Sequence, residues 1–141
     1  MTRIVSTTTI YENKSGSLKF IQNDAGLNIL LVQFCDCERI PKDDGMIMLS
    51  AMRAFYGMNK EHKFAHLFDL KPTYVPSPDL IMATIELMRE MHVYFQTHLK
   101  FTGVVAGDHA DALKRYMRSW VPTKPVHYLH DLDEIHDIKN E

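Results

Sequence analysis

The stretch His66–Met88, HLFDLKPTYVPSPDLIMATIELM, decides how the rest of the chain is read. It opens in a short apolar run that ends at Asp69-Leu70, passes through three prolines, and then becomes periodic. Prolines at 72, 76 and 78 mark a loop. Beyond them Leu80, Ile81, Ile85, Leu87 and Met88 recur at helical spacing. A strand, a loop and a helix in this order form half of a parallel crossover unit. The start of the helix is well specified. Ser77 stands where an N-cap accepts a backbone N–H, Pro78 suits the first helical position, and Asp79 favours the positive end of the helix.

Working outward, the same alternation continues on both sides. Downstream, the helix is expected to run from Ser77 to about Leu99, with Phe95, Met91 and Tyr94 extending its apolar side and Glu86, Arg89, Glu90 and Thr97 opposite. KFTGVVAGD reads as a strand ending at Gly107-Asp108, and HADALKRYMRSW as a helix with Ala110, Leu113, Met117 and Trp120 inward. Asp108 and Asp111 approximate a capping box at its start. PVHYLH is a last strand, and DLDEIHDI a short closing helix with Leu132, Ile135 and Ile138 inward.

Upstream, DDGMIMLSAMRAFYG carries Met48, Met52, Phe55 and Tyr56 along one stripe, with Leu49 beside it. Pro41 suits the first turn of this helix, with Asp43 and Asp44 at its positive end, while Gly45, which costs about 1 kcal/mol inside a helix, offers a later start just after it. Before it, LKFIQND and LNILLVQF flank an Ala-Gly turn and read as a hairpin whose second strand lies deeper in the sheet. Residues 1–17 are Thr/Ser-rich and read as an arm or a loose first strand. Segments 27–34, 63–70, 100–106 and 125–129 are therefore expected to be neighbouring strands. The fold class is α/β, with a mixed sheet of four or five strands, an N-terminal hairpin and helices mainly on one face.

Composition sets bounds on function. The 141 residues suit one domain, and 45 % hydrophobic with 24 % charged residues is an ordinary globular balance that needs no metal or disulfide. A net charge of −2 argues against a nucleic-acid binder. No apolar run reaches the roughly 18 residues of a membrane span, and no secretory leader is visible. Cys35 and Cys37, one residue apart, read as reduced thiols of a cytoplasmic protein.

Candidate chemistry is sparse. His127, His130 and His136 lie near Asp131, Asp133 and Glu134, but on a strand His127 and His130 point to opposite faces and His136 belongs to another element. No metal site is expected. His66, within an apolar strand, reads as a core histidine with one hydrogen bond more readily than as a base, and His92 is read the same way. Gly103 and Gly107-Asp108 do not make a phosphate-binding loop, and no Ser-His-Asp spacing appears. Met46, Met48, Met52, Met82, Met88 and Met91 crowd the first two helices, as adaptable core filling or as a malleable apolar pocket.

Three stretches together resemble the STAS or SpoIIAA-like domain, the fold of the anti-sigma-factor antagonists. KFAHLFDLKPTYVPSPDL resembles its central strand, loop and helix start. KFTGVVAGDHADALKRYM resembles the next strand and helix, and PVHYLHDLDEIHDI the closing strand and helix. The resemblance covers roughly residues 18–138, and the domain is assigned to 18–141. That family's switch members carry a phosphorylatable serine at the helix start. Ser77 lies within about one position of that place, but the Asp-Ser-Ser-Gly signature is absent, which resembles the divergent branch.

The resemblance implies a non-catalytic regulatory or protein-interaction module without a cofactor. Its contact surface would include Tyr74, Val75, Ser77, Asp79, Gly107 and Asp108. A protein partner is expected, with a homodimer as one form of association. A small apolar-ligand or lipid binder using the Met-rich helices is the alternative, and an enzyme with a histidine base the weaker one.

Overall fold

A computed structural model describes residues 3–34, 42–70, 78–107, 110–118 and 120–138. One six-stranded sheet runs β1-β2-β3-β4-β5-β6 in chain order. Strands β1 (Ile4–Asn13), β2 (Gly16–Asn23) and β3 (Asn28–Phe34) form an antiparallel meander. Strands β4 (Phe64–Asp69), β5 (Leu99–Val105) and β6 (Val126–Leu129) then add in parallel. Helix α1 (Lys42–Met58) joins β3 to β4, α2 (Pro78–Glu90) and α3 (His92–His98) join β4 to β5, and α4 (Ala110–Met117) joins β5 to β6. A 3-10 helix, Leu132–Asp137, follows β6.

The α/β class and the mixed sheet agree with the sequence reading; the strand count does not. The sheet has six strands rather than four or five, because the Thr-rich segment is a full edge strand. From Arg3 to Ile10 every residue of this edge is exposed, so it carries no burial alternation to read. The expected long helix is also interrupted. It breaks at Met91, and Leu99 is the first residue of β5 rather than the last of the helix. Helix α1 begins at Lys42 with Asp43 and Asp44 in its first turn, the earlier of the two starts the sequence offers, and Gly45 lies inside it.

Local chemistry fixes the turns. Asn13 Oδ1 accepts the backbone N–H groups of Ser15 and Gly16 between β1 and β2. In the β2–β3 turn, Asn23 Oδ1 accepts from Ala25 and Leu27, while Gly26 takes φ 81°, a conformation that favours glycine. The same Asn23 side chain reaches His136 Nδ1 at 2.9 Å and ties the hairpin to the 3-10 helix.

The sheet separates two apolar layers. On one face Leu18, Leu30, Val32, Phe64 and Val104 meet the helices through Met48, Met52, Phe55, Tyr56, Ile81, Ile85, Met88 and Phe95. On the other face Ile21, Ile29, Leu31, Ala65, Leu67, Phe101 and Val105 form a smaller layer with Ile135 of the 3-10 helix, flanked by Leu129, Leu132 and Ile138. The inward positions expected for α1, α4 and the closing segment are those observed.

Candidate functional site

An apolar cavity of about 70 Å³ lies between the sheet and helices α1, α2 and α4. Its floor is Val32, Phe34, Phe68, Thr102 and Val104, from strands β3, β4 and β5. Its walls are Met48 and Met52 of α1, Ile81, Ile85 and Met88 of α2, and Leu113 and Met117 of α4, with Trp120 beyond α4. Among the described residues no charged side chain lines it.

Gly45 explains how two walls come together. A Cβ there would lie 2.8 Å from both methyl carbons of Leu80. The missing side chain lets α1 and α2 approach, at the cost in helix propensity that a buried interior glycine carries. Four methionines line the space, and their unbranched chains can shift to fit different contents.

Two residues of the lining, Thr84 and Thr102, carry hydroxyls. Thr84 donates to the Leu80 carbonyl at 2.8 Å, a bond within its own helix. Thr102 belongs to a buried polar relay behind the floor. Strand register places Thr102 beside His66 on the helix-facing side of the sheet. Tyr56 Oη lies 2.6 Å from His66 Nε2, and Thr102 Oγ1 lies 3.5 Å from His66 Nδ1. Tyr56 and His66 are fully buried. The rings of Tyr56, Phe64, Phe68 and Phe95 surround the imidazole at centroid distances of 5.2–5.7 Å.

Burial governs the protonation of this relay. Loss of water disfavours imidazolium and pushes the His66 pKa down to about 3. Burial, aided by nearby Tyr94, holds the Tyr56 hydroxyl well above its usual range. Both groups are neutral at pH 7. Either imidazole tautomer leaves one hydroxyl hydrogen, of Tyr56 or of Thr102, without an acceptor among the described contacts, and the assignment taken is the one that satisfies fully buried Tyr56. Among the described contacts the Tyr56 hydroxyl hydrogen has His66 Nε2 as its acceptor. Nδ1 then carries the ring proton and points it at Thr102 Oγ1, which frees the threonine hydrogen.

Of the residues expected to make a contact surface, Tyr74, Val75, Ser77 and Asp108 lie outside the described residues, as do Cys35 and Cys37. Asp79 is exposed in the first turn of α2, and Gly107 follows β5 with φ 55°. Neither lines the cavity. The methionines divide: Met48, Met52 and Met88 line the cavity, whereas Met46 and Met82 are exposed. Among the described residues, no three His, Cys, Asp or Glu side chains gather as metal ligands. His127 meets the edge of Phe101, His136 meets Asn23, and His130 is exposed. No described helix is long and apolar enough to cross a membrane.

Thr102 was not singled out by sequence. Its signal is slight: one hydroxyl in the apolar run KFTGVV, whose partner His66 is identified only once the register of β4 and β5 is known.

A second concavity lies on the meander side. Ile10, Tyr11, Phe20, Phe55, Met58 and His62 line an open groove between the outer strands and α1. No family model matches the chain, and no curated protein or solved structure matches it either.

Proposed function

We propose that this chain is a non-catalytic, SpoIIAA-like module that binds a small apolar molecule between its helices and its sheet. The observation that carries this reading is the cavity: lined by apolar side chains, walled by four methionines, and free of charge among its described residues. An antiparallel hairpin leading into parallel strands, with the longer helices on one face, is the architecture the resemblance implies. Its size sets the ligand class. At about 10–15 Å³ per enclosed water, the cavity holds roughly five to seven water-sized groups. The space inside suits a short compound. His66 supports a structural role over a catalytic one, because it is neutral, sequestered behind aromatic rings and already bonded to Tyr56.

Trp120, the single tryptophan of the chain, lines the cavity and reports on it. Pentane added in increments should change Trp120 emission saturably and raise the melting temperature. Unchanged emission and melting temperature up to the solubility limit would overturn the proposal.

The groove at the meander favours a second, compatible reading as a protein-interaction surface. Ile4, Val5, Ile10 and Met58 are 58, 67, 40 and 84 % exposed. Ile10→Lys and Met58→Lys should weaken association with a purified protein partner and leave pentane binding intact. Unaltered association in both variants would remove this surface from the account.

A further inference from the structure

We infer that the cavity selects an uncharged molecule of about five non-hydrogen atoms bearing one hydrogen-bond-accepting oxygen, and that Thr102 is the residue recognising that oxygen. The inference rests on the ligand-binding reading above and assigns its specificity. Three observations carry it.

First, the described lining has no side chain that could neutralise a carboxylate or an ammonium group. Bringing either charge into this space would strip its water without a partner. Second, the polar side-chain groups carried by the described lining are two hydroxyls and the indole N–H of Trp120, and the two hydroxyls are not equivalent. The Thr84 hydrogen is committed to the Leu80 carbonyl at 2.8 Å. The only hydrogen-bond contact of Thr102 Oγ1 among the described side chains is the long one, 3.5 Å, to His66 Nδ1.

Third, the relay sets the direction of that contact. With the fully buried Tyr56 hydroxyl donating to His66 Nε2, the imidazole presents N–H, not a lone pair, toward Thr102. The Thr102 oxygen is the acceptor, and its own hydrogen is left to donate into the cavity. An ether, ketone, ester or alcohol oxygen can accept it, and an alkane cannot. His66 and Tyr56 are positioning residues here: they orient the hydroxyl and do not touch the ligand.

Diethyl ether and pentane are near-isosteres that differ by one oxygen, which makes them the probes. Affinities for both are measured by Trp120 emission at pH 7 in the wild type, Thr102→Val and Thr102→Ser. The ether-to-pentane affinity ratio should fall roughly fivefold in Thr102→Val, the worth of one ordinary hydrogen bond. Thr102→Ser, which keeps the hydroxyl, should retain the wild-type ratio and controls for any folding defect in the valine variant. Pentanoate should not compete with pentane. An equal ratio in wild type and Thr102→Val, or competition by pentanoate, would overturn this inference while leaving the apolar-cavity reading standing. Failure of both pentane and ether to bind the wild type would overturn that reading itself.

Discussion

The two faces of the sheet are built from the same strands and packed in opposite ways. One face carries four helices, many methionines, a cavity and a polar relay. The other is covered by a 3-10 helix of six residues, with Ile135 set over Gly103. A Cβ on Gly103 would stand 3.1 Å from Leu129, 3.2 Å from Leu67 and 3.7 Å from Ile135. Side chains there already occupy the space a methyl group would need. Among the described residues the heavier covering holds the apolar cavity, while around Gly103 the lighter one is closely packed. Thickness of cover and closeness of packing are separate properties, and the space for a ligand follows the second.

This contrast can be broken most sharply at Ile135. Ile135→Ala removes the central anchor of the close-packed face and should cost about 3–5 kcal/mol in urea denaturation, the upper part of the range for such truncations. A loss below about 1 kcal/mol would mean that this face is the looser one.

The relay is next in expected effect. Tyr56→Phe removes the partner of His66 Nε2 and leaves a buried nitrogen unsatisfied, so it should cost about 1–3 kcal/mol. A neutral result would show that the 2.6 Å contact contributes nothing net to the helix-covered face.

The buried histidine also predicts a pH dependence. Its folded pKa of about 3 lies below the ordinary 6.5, so the unfolded chain binds the extra proton first as pH falls. The stabilisation is complete above about pH 6.5 and is lost on acidification toward pH 3. Over that interval His66 should contribute a slope approaching ~1.4 kcal/mol per pH unit. The wild-type curve minus the His66→Gln curve isolates it. Parallel curves between pH 6.5 and pH 4 would contradict the neutral buried imidazole.

The smallest effect is expected where the packing is loosest. Met88→Leu keeps an apolar side chain of similar volume on the cavity wall and should change stability by less than about 1 kcal/mol. A larger loss would show that this wall is as closely fitted as the opposite face.

Much of this arrangement is legible in the chain. The stripe of Met48, Met52, Phe55 and Tyr56 is visible because burial on one side of a helix imposes a period of its own. The crowding of methionines in α1 and α2 likewise points toward an adaptable apolar space, and three of them line it. Other features have no local signature. From Ile4 to Ile10 β1 is exposed on both sides, so its threonines alternate with nothing. The break at Met91 lies in a run without Gly or Pro, and the helical period continues across it into Leu99. The pairing of His66 with Thr102 bridges 36 positions and depends on strand register, which the apolar pattern of parallel strands leaves unspecified.

The account depends most on the cavity being a real site of binding, and mapping by amide chemical shifts tests this directly. Diethyl ether titrated into labelled protein should shift the amides of Met52, Ile85, Thr102 and Val104 with one common saturation curve. Those of Ile29, Leu31 and Ile135, on the opposite face, should stay in place. Saturable shifts confined to the Ile135 face, or none at any of these amides, would contradict the account.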